Sequence, residues 1–400
     1  MADKPSKGLA DVVAASTALS DIDGQAGRLF YRGYDIHQLA GAATFEEIAY
    51  LLQRGSPPDA AELDSFRAEI AAGRSLGKLV TSNLAEIAAS QEPMEAMRTL
   101  VSLASADDPD KDSNAPAANS RKAARLTAQQ PILVAAYDAA RRALGGSGGG
   151  GGSRGGGSGG GGSGETLPPD PGLGIAANFL LQMHGAAPSP RAAEILDTCL
   201  VLHADHTMNA STFAARVCAA TLSDMHSAVV AAIGTLKGPL HGGANEQVML
   251  GLETIIAAAP GDPVAAVGPV VRERLGRGEK IMGFGHRVYK TEDPRATHLR
   301  QFSAELAETS GDDTYYRMSK EMEEVVAAEK GLYPNVDFYA ASVYHYLGIP
   351  TDLFTSVFSV SRMAGWTAHV MEQHADNRLI RPDSEYIGDR NLTWTALAQR

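Results

Sequence analysis

Three short stretches of this 400-residue chain carry residue types and spacings suited to acid–base chemistry on a carbonyl compound. In Leu236-Lys237-Gly238-Pro239-Leu240-His241-Gly242-Gly243-Ala244-Asn245-Glu246, an apolar helix-like run from Ala228 stops at a Gly-Pro break. A second helical pattern leaves from Ala244, with Val248, Leu252, Ile255 and Ile256 on its core-facing period. His241 lies in the joint between them. The following glycines let another backbone or a ligand come close. The helix start beyond them offers free N–H groups and a partial positive charge, a field that disfavours protonation. His241 is therefore expected to stay neutral and donate one hydrogen bond, which suits a reaction passing through an enol.

The second stretch, Gly283-Phe284-Gly285-His286-Arg287-Val288-Tyr289-Lys290-Thr291-Glu292-Asp293-Pro294-Arg295, sets a histidine after Gly-X-Gly and an arginine nine residues later. The third, Asn335-Val336-Asp337-Phe338-Tyr339, places a carboxylate at the start of a helical run. A lone Leu-His-Gly-Gly is weak as a signal, whereas Gly-Phe-Gly-His followed by Asp-Pro-Arg is specific. His203 and His206, with Asp205 between them, read in isolation as metal ligands. Arg362 sits in the apolar run Phe358-Ser359-Val360-Ser361-Arg362-Met363-Ala364-Gly365-Trp366, where a cation is costly unless an anion meets it. Arg378 and Arg381 read by themselves as surface charge.

Together these strings resemble the citrate synthase family from about Ser20 to about Asp389, interrupted by one insert. The resemblance implies His241, His286 and Asp337 as the catalytic histidines and aspartate, in the family's chain order. Asp337 would be the base that removes a methyl proton from acetyl-CoA. His241 would hold the resulting enol, and His286 would polarise the oxaloacetate carbonyl. By the same resemblance His206, Arg295, Arg362 and Arg381 bind the dicarboxylate, with Arg381 reaching in from a second subunit. Arg287 and Lys290 would meet the phosphates of coenzyme A. His203 is then a hydrogen-bonded core histidine, and neither a metal nor a separate cofactor is called for. The implied reaction is condensation of acetyl-CoA with oxaloacetate followed by hydrolysis of citryl-CoA. A 2-methylcitrate synthase using propionyl-CoA shares the same motifs. A metal-dependent lyase or hydrolase built on His203, His206, His241 and His286 is the rival of another class. A non-catalytic binding protein is a third reading, disfavoured by three intact catalytic positions.

The elements that must carry these residues are almost all helical, so an all-α fold is expected. The resemblance divides it into a large domain, residues 1–242 and 344–400, and a small closing domain, residues 243–343, with homodimerisation. One β-hairpin is predicted, between Thr17 and Ile36 around Asp23-Gly24. Thr44 and Glu47 form a capping box opening a helix that stops before Gly55. Ser105 to Asn119 reads as an acidic loop, and Arg121 to Leu144 as a helix bent near Pro131. Leu196 to Leu222 reads as one long helical region, and the Asp337 helix reaches about Leu347. Gly145 to Gly164 is glycine and serine except for Arg154, the composition of a flexible insert spanning roughly 25 Å.

Composition sets the outer bounds. Hydrophobic content of 44% and charged content of 20% are those of a globular protein with a substantial core. No apolar run reaches about 18 residues, and the first residues lack a signal region, so neither a membrane span nor export is expected. Cys199 and Cys218, the only cysteines, read as buried thiols of a reducing compartment, the cytoplasm. A net charge of −12 argues against nucleic acid as a partner. Anionic substrates are met locally, because Val271 to Lys290 holds six basic residues against two acidic ones. That density reads as a phosphate-binding rim.

Overall fold

The computed structural model describes residues 7–9, 12–145 and 166–400. The Gly/Ser insert predicted for Gly145 to Gly164 lies outside the described residues, apart from Gly145. With 64% helix and 3% strand, the all-α class is observed. The strands β1 (Ser20–Asp23), β2 (Arg28–Tyr31) and β3 (Tyr34–Asp35) form one antiparallel sheet in chain order. In β1–β2, Ser20 opposes Tyr31 and Asp23 opposes Arg28. The predicted hairpin thus gains a third strand. Arg32 and Gly33, with φ of 50° and 89°, turn the chain so that Tyr34 pairs back on Tyr31.

The helices up to the insert are α1 (Ile36–Leu39), α2 (Phe45–Arg54), α3 (Ala60–Gly73), α4 (Lys78–Ser90), α5 (Pro93–Ala104) and α6 (Pro116–Gly145). After it come α7 (Ile175–His184), α8 (Pro190–His203), α9 (Ala210–Ala219), α10 (Met225–Leu236), α11 (Ala244–Ala258) and α12 (Pro263–Gly276). The chain continues through α13 (Pro294–Ser310), α14 (Thr314–Lys330), α15 (Val336–Tyr346) and α16 (Phe354–Ala375). The capping box of α2 forms as predicted: Glu47 N–H donates to Thr44 Oγ1 at 3.3 Å and Thr44 N–H to Glu47 Oε2 at 2.8 Å. Pro131 lies inside the predicted helix, which runs on as α6.

Helix α16 is the centre of the larger packing unit. Its residues are buried almost throughout, and it touches α2, α6, α8, α9 and α10. A helix apolar all round belongs inside a protein, and this one brings Arg362 in with it. Helices α11 to α15 pack mainly on one another, through the pairs α13·α15, α12·α14 and α11·α15. Among the described residues no single helix is long and apolar enough to cross a membrane. Cys199 is buried, Cys218 half-buried, and both are free thiols.

The region predicted as one helix from Leu196 to Leu222 is two, broken at Ala204–Asn209. The break has a tertiary cause. Asp205 is fully buried and accepts hydrogen bonds from the Ser20 hydroxyl and, at 3.1 Å, from Thr207 N–H. Tyr31 Oη accepts from Asp205 N–H at 3.2 Å and donates to the Asp205 carbonyl at 3.0 Å. His369 stands 3.3 Å from the other Asp205 oxygen. This anchoring holds Thr207 at φ 50°, outside the helical well. Asn209 then restarts the helix by accepting from Thr212 N–H at 3.1 Å.

Candidate active site

The turn carrying His241 is tied by hydrogen bonds from His241 N–H and Gly242 N–H to the Gly238 carbonyl, at 2.9 and 3.3 Å. Thr355 Oγ1 on α16 donates to the Gly242 carbonyl at 3.1 Å. A Cβ at position 242 would lie 2.3 Å from the Leu236 carbonyl oxygen, so only glycine lets the chain pass there. The imidazole points at the start of α9. Ser211 N–H donates to His241 Nε2 at 3.2 Å, and the Ser211 hydroxyl lies 2.9 Å from the same nitrogen. Since Nε2 accepts, the ring proton sits on Nδ1. Burial, reinforced by Arg362, lowers the pKa of His241 to about 4. The predicted neutral donor is present, and the helix start that contacts it is that of α9.

His286 mirrors this arrangement. Its Nδ1 accepts from Val288 N–H at 3.0 Å and Tyr289 N–H at 3.1 Å, so Nε2 carries the proton. Burial, followed by the field of Arg295, brings its pKa down to about 4. Two strand-like loops fix its position. Gly285 N–H donates to the Tyr333 carbonyl at 2.9 Å and Asn335 N–H to the Gly283 carbonyl at 2.8 Å. Gly283 has φ 84°, and a Cβ there would come within 2.8 Å of Phe338 and Val248. The His286 loop is thereby stitched to the loop that begins α15.

Asp337 is the second residue of α15, and its carboxylate has no hydrogen-bond partner among the described residues. The capping task belongs to Asn335, whose side chain accepts from Asp337 N–H at 3.0 Å. Burial pushes the Asp337 pKa up to about 7 against the opposing pull of Arg295. An unpaired carboxylate with a pKa near neutrality has the properties of a general base.

Two buried arginines bracket these groups, and they are held differently. Arg295 is bidentate on Asp293, with Nε at 2.9 Å and Nη2 at 2.7 Å. Asp293 also accepts from Val336 N–H at 3.2 Å, tying this pair to the start of α15. Arg362 donates through Nε to the His203 carbonyl at 2.9 Å and lies 4.7 Å over the Phe358 ring, with no carboxylate partner among the described residues. Burial lowers its pKa to about 10. His206 packs 5.2 Å from His286, ring centre to ring centre. Burial, with Arg295, lowers its pKa well below the ordinary value. His203 is fully buried with Nδ1 at 2.7 Å from the Cys199 carbonyl, the geometry of a core histidine.

The structure thus brings together His206, His241, His286, Arg295, Asp337 and Arg362. Arg381 lies elsewhere in this chain, on the exposed segment after α16, where it donates to Asp383 at 3.0 Å. Arg287 and Lys290 are exposed beside the His286 loop. Arg287 reaches the Gly8 carbonyl at 3.4 Å, and Lys290 N–H donates to the Gly24 carbonyl at 2.8 Å. The basic rim is weaker than composition suggests, because Arg272, Arg274 and Arg277 pair with Glu329, Glu279 and Glu273. Sequence reasoning missed Ser211, Trp366 and Asp293. Trp366 Nε1 donates to Ser211 Oγ at 3.1 Å, a link across 155 positions with no local signal. Asp293 did carry one, an aspartate followed by proline at a helix start. A separate cavity of about 360 Å³ between α2, α3, α7 and α8 is lined in part by Glu46 and Asp197. Both acids are engaged in holding helix starts, accepting from Ile175 N–H and Phe45 N–H.

Two neutral histidine donors, an unpaired carboxylate and a buried arginine without an anion define a site for carbon-acid chemistry on an anionic carbonyl compound. Residues 8–383 match the family model described as citrate synthase, C-terminal domain. The chain is 46% identical over 398 residues to the citrate synthase of Haloferax volcanii, covering 98% of each. It is 41% identical to the 2-methylcitrate synthase of Shewanella oneidensis, covering 95% of this chain and 94% of that protein. In structure it is similar to citrate synthase from Thermoplasma acidophilum, solved as a ternary complex with carboxymethyl coenzyme A and oxaloacetate. That match has a TM-score of 0.87 at 29% identity, covering 99% of this chain and 100% of the other. The chain belongs to the citrate synthase family, enzymes of the acyltransferase type.

Proposed function

We propose that this protein condenses acetyl-CoA with oxaloacetate and hydrolyses the citryl thioester to citrate and coenzyme A. The observation that carries the reading is Arg362, a buried cation with no carboxylate partner among the described residues, set beside two neutral histidine donors and the unpaired Asp337. A guanidinium in that state awaits an anion. Asp337 takes a proton from the acetyl methyl group while His241 Nδ1–H donates to the thioester oxygen, giving the enol. His286 Nε2–H donates to the ketone oxygen of oxaloacetate. The enol carbon attacks the ketone carbon as the enol proton returns to His241, and the ketone oxygen becomes a hydroxyl by taking up one proton in place of the one Asp337 removed. Water then cleaves the thioester and releases coenzyme A. Arg295, Arg362 and His206 would hold the carboxylates, and the exposed Arg287 and Lys290 would meet coenzyme A phosphates. The chemistry calls for no metal and no further cofactor.

Two more features belong to this reading. Residues 243–343 would act as the small domain that closes on substrate, supported by the mutual packing of α11 to α15. A homodimer is supported by the segment after α16, where Tyr386, Ile387, Leu392, Trp394 and Leu397 are all exposed, a run of large apolar side chains suited to a protein contact. Arg381 lies on that segment, so the partner copy would complete the site. Cytoplasmic placement fits free thiols at Cys199 and Cys218.

The test is coenzyme A release with oxaloacetate and either acetyl-CoA or propionyl-CoA, with and without EDTA. Metal-independent turnover with a higher kcat/KM for acetyl-CoA is expected. A higher value for propionyl-CoA would assign 2-methylcitrate synthesis, a reading favoured by the 41% identical Shewanella relative. One methyl group discriminates by only ~1–3 kcal/mol, so the ratio itself must be measured. No thiol release with either would remove both readings.

A further inference from the structure

We propose that Tyr289 is a further substrate-positioning residue, its hydroxyl donating to a carboxylate oxygen of the bound dicarboxylate. The inference rests on the reading of the site as an oxaloacetate site and adds a residue to it.

Tyr289 is 3% exposed, and its hydroxyl is buried with no hydrogen-bond partner among the described residues. A buried unpaired hydroxyl costs about 1–3 kcal/mol, so its presence needs a reason. The surroundings supply one. The ring packs against both histidines, 4.6 Å from His286 and 5.7 Å from His206, ring centre to ring centre. His206 Nε2 is also buried and also without a partner. The hydroxyl feels the Arg295 guanidinium more than any other charge. Asp293 occupies Nε and Nη2 of that guanidinium, which leaves Nη1 with no carboxylate. Three unused polar groups, Tyr289 Oη, His206 Nε2 and Arg295 Nη1, therefore belong to one cluster around the residue that polarises the carbonyl. Burial raises the hydroxyl's pKa, so it remains a proton donor throughout the working range. A neutral donor beside a guanidinium and an imidazole is matched by a carboxylate oxygen, which can accept from all three.

The alternative is that Tyr289 serves packing alone, its hydroxyl an incidental cost. The variant Tyr289→Phe keeps the ring against both histidines and removes only the oxygen. Ligand-free thermal stability, the rise in Tm on adding oxaloacetate, and steady-state constants would be compared with the unmodified protein. Hydrogen bonds to a charged group are worth about 1.5–3 kcal/mol, so the KM for oxaloacetate should rise about tenfold or more. The KM for acetyl-CoA and kcat should change less than about threefold, because a carboxylate contact holds substrate and transition state alike. Ligand-free Tm should be unchanged or higher, and the oxaloacetate-induced rise smaller. An unmodified protein whose Tm ignores oxaloacetate would defeat the site reading and this inference with it. A normal response in both proteins would defeat this inference alone, as would a Phe variant less stable without ligand, since the hydroxyl would then hold the fold.

Discussion

Ser211 meets His241 twice, through its backbone N–H at 3.2 Å and its hydroxyl at 2.9 Å, both on Nε2. The serine is itself held from two sides. Its single hydroxyl proton is shared between His241 Nε2 and Asn209 Oδ1, which lies 2.8 Å away, and its oxygen accepts from Trp366 Nε1 at 3.1 Å. A residue at the start of α9 thus decides which His241 nitrogen carries the proton, and α16 braces that residue. Outer partners of this kind fix tautomer and ring orientation.

Ser211→Ala tests the brace. The backbone N–H stays, the hydroxyl goes, and Trp366 Nε1 loses its acceptor. Steady-state kinetics should show kcat about tenfold lower with the KM for oxaloacetate within about twofold, since in the proposed mechanism His241 acts on the thioester in the transition state. An unchanged kcat would mean that the backbone N–H alone sets the ring.

Asp337 links activity to stability with opposite signs. Its pKa in the folded protein is raised by burial to about 7, above the unfolded value of 3.8. A raised carboxyl pKa favours folding fully below pH 3.8, and that contribution is lost as pH rises through 7. Asp337→Asn should therefore be more stable than the unmodified protein at pH 8, on the order of 2 kcal/mol by denaturant unfolding, and no more stable near pH 4. Condensation should fall by ~10²–10⁴-fold, while hydrolysis of supplied citryl-CoA suffers less. In the unmodified enzyme kcat/KM should drop tenfold per pH unit below about 7, as the base is protonated. The histidines, with pKa values near 4, do not set that limb. Equal losses in condensation and hydrolysis would remove Asp337 as the base.

The parts legible in the sequence are those fixed by neighbours in the chain. The Thr44–Glu47 box, the Gly-Pro break before His241 and the Asn335 start of the Asp337 helix all rest on contacts within a few positions. The break at Ala204–Asn209 could not be read, because Ser20 and Tyr31, more than 170 residues away, anchor Asp205 and force it. Ser211 was invisible for the same reason, its partners being His241 and Trp366. The basic run is less open to an anion than its composition suggests, since Glu273 and Glu279 within it and Glu329 from α14 pair with three of its arginines. Charge counted along a helix does not say which charges face one another.

Arg381 gives a test of subunit sharing. Each of Arg381→Ala and Asp337→Asn should be nearly inactive as a homodimer. Mixed and reassociated, half the dimers would be heterodimers, each with one site holding both an intact Asp337 and an intact Arg381. Recovery to about a quarter of normal activity is expected from a two-fold symmetric assembly. No recovery, with heterodimers demonstrated by mass, would place Arg381 outside the partner's site.

Arg295 and Arg362 are equally buried, at 2% exposure each, yet removing them should have different consequences. Arg295 is locked on Asp293, which is 1% exposed and also holds Val336 N–H. Arg295→Leu leaves that carboxylate charged, buried and without its cation, at a cost of about 3–5 kcal/mol. Arg362 leaves no such orphan, since only the His203 carbonyl loses a donor. That loss, about 1 kcal/mol, is offset by removing a desolvated cation that has no carboxylate partner among the described residues. Scanning calorimetry without ligand should therefore put Arg362→Leu within about 2 °C of the unmodified protein and Arg295→Leu at least about 5 °C below it. Binding should not follow stability. Both variants lose a guanidinium proposed to grip a substrate carboxylate, so the KM for oxaloacetate should rise ~10²-fold or more in each. If Arg362→Leu unfolds as readily as Arg295→Leu, Arg362 is holding the fold and the observation that carries the functional reading fails. If it stays folded and still binds oxaloacetate normally, the substrate's carboxylates lie elsewhere. A folded Arg362→Leu protein that no longer responds to oxaloacetate is the outcome expected of a cation kept buried for its ligand.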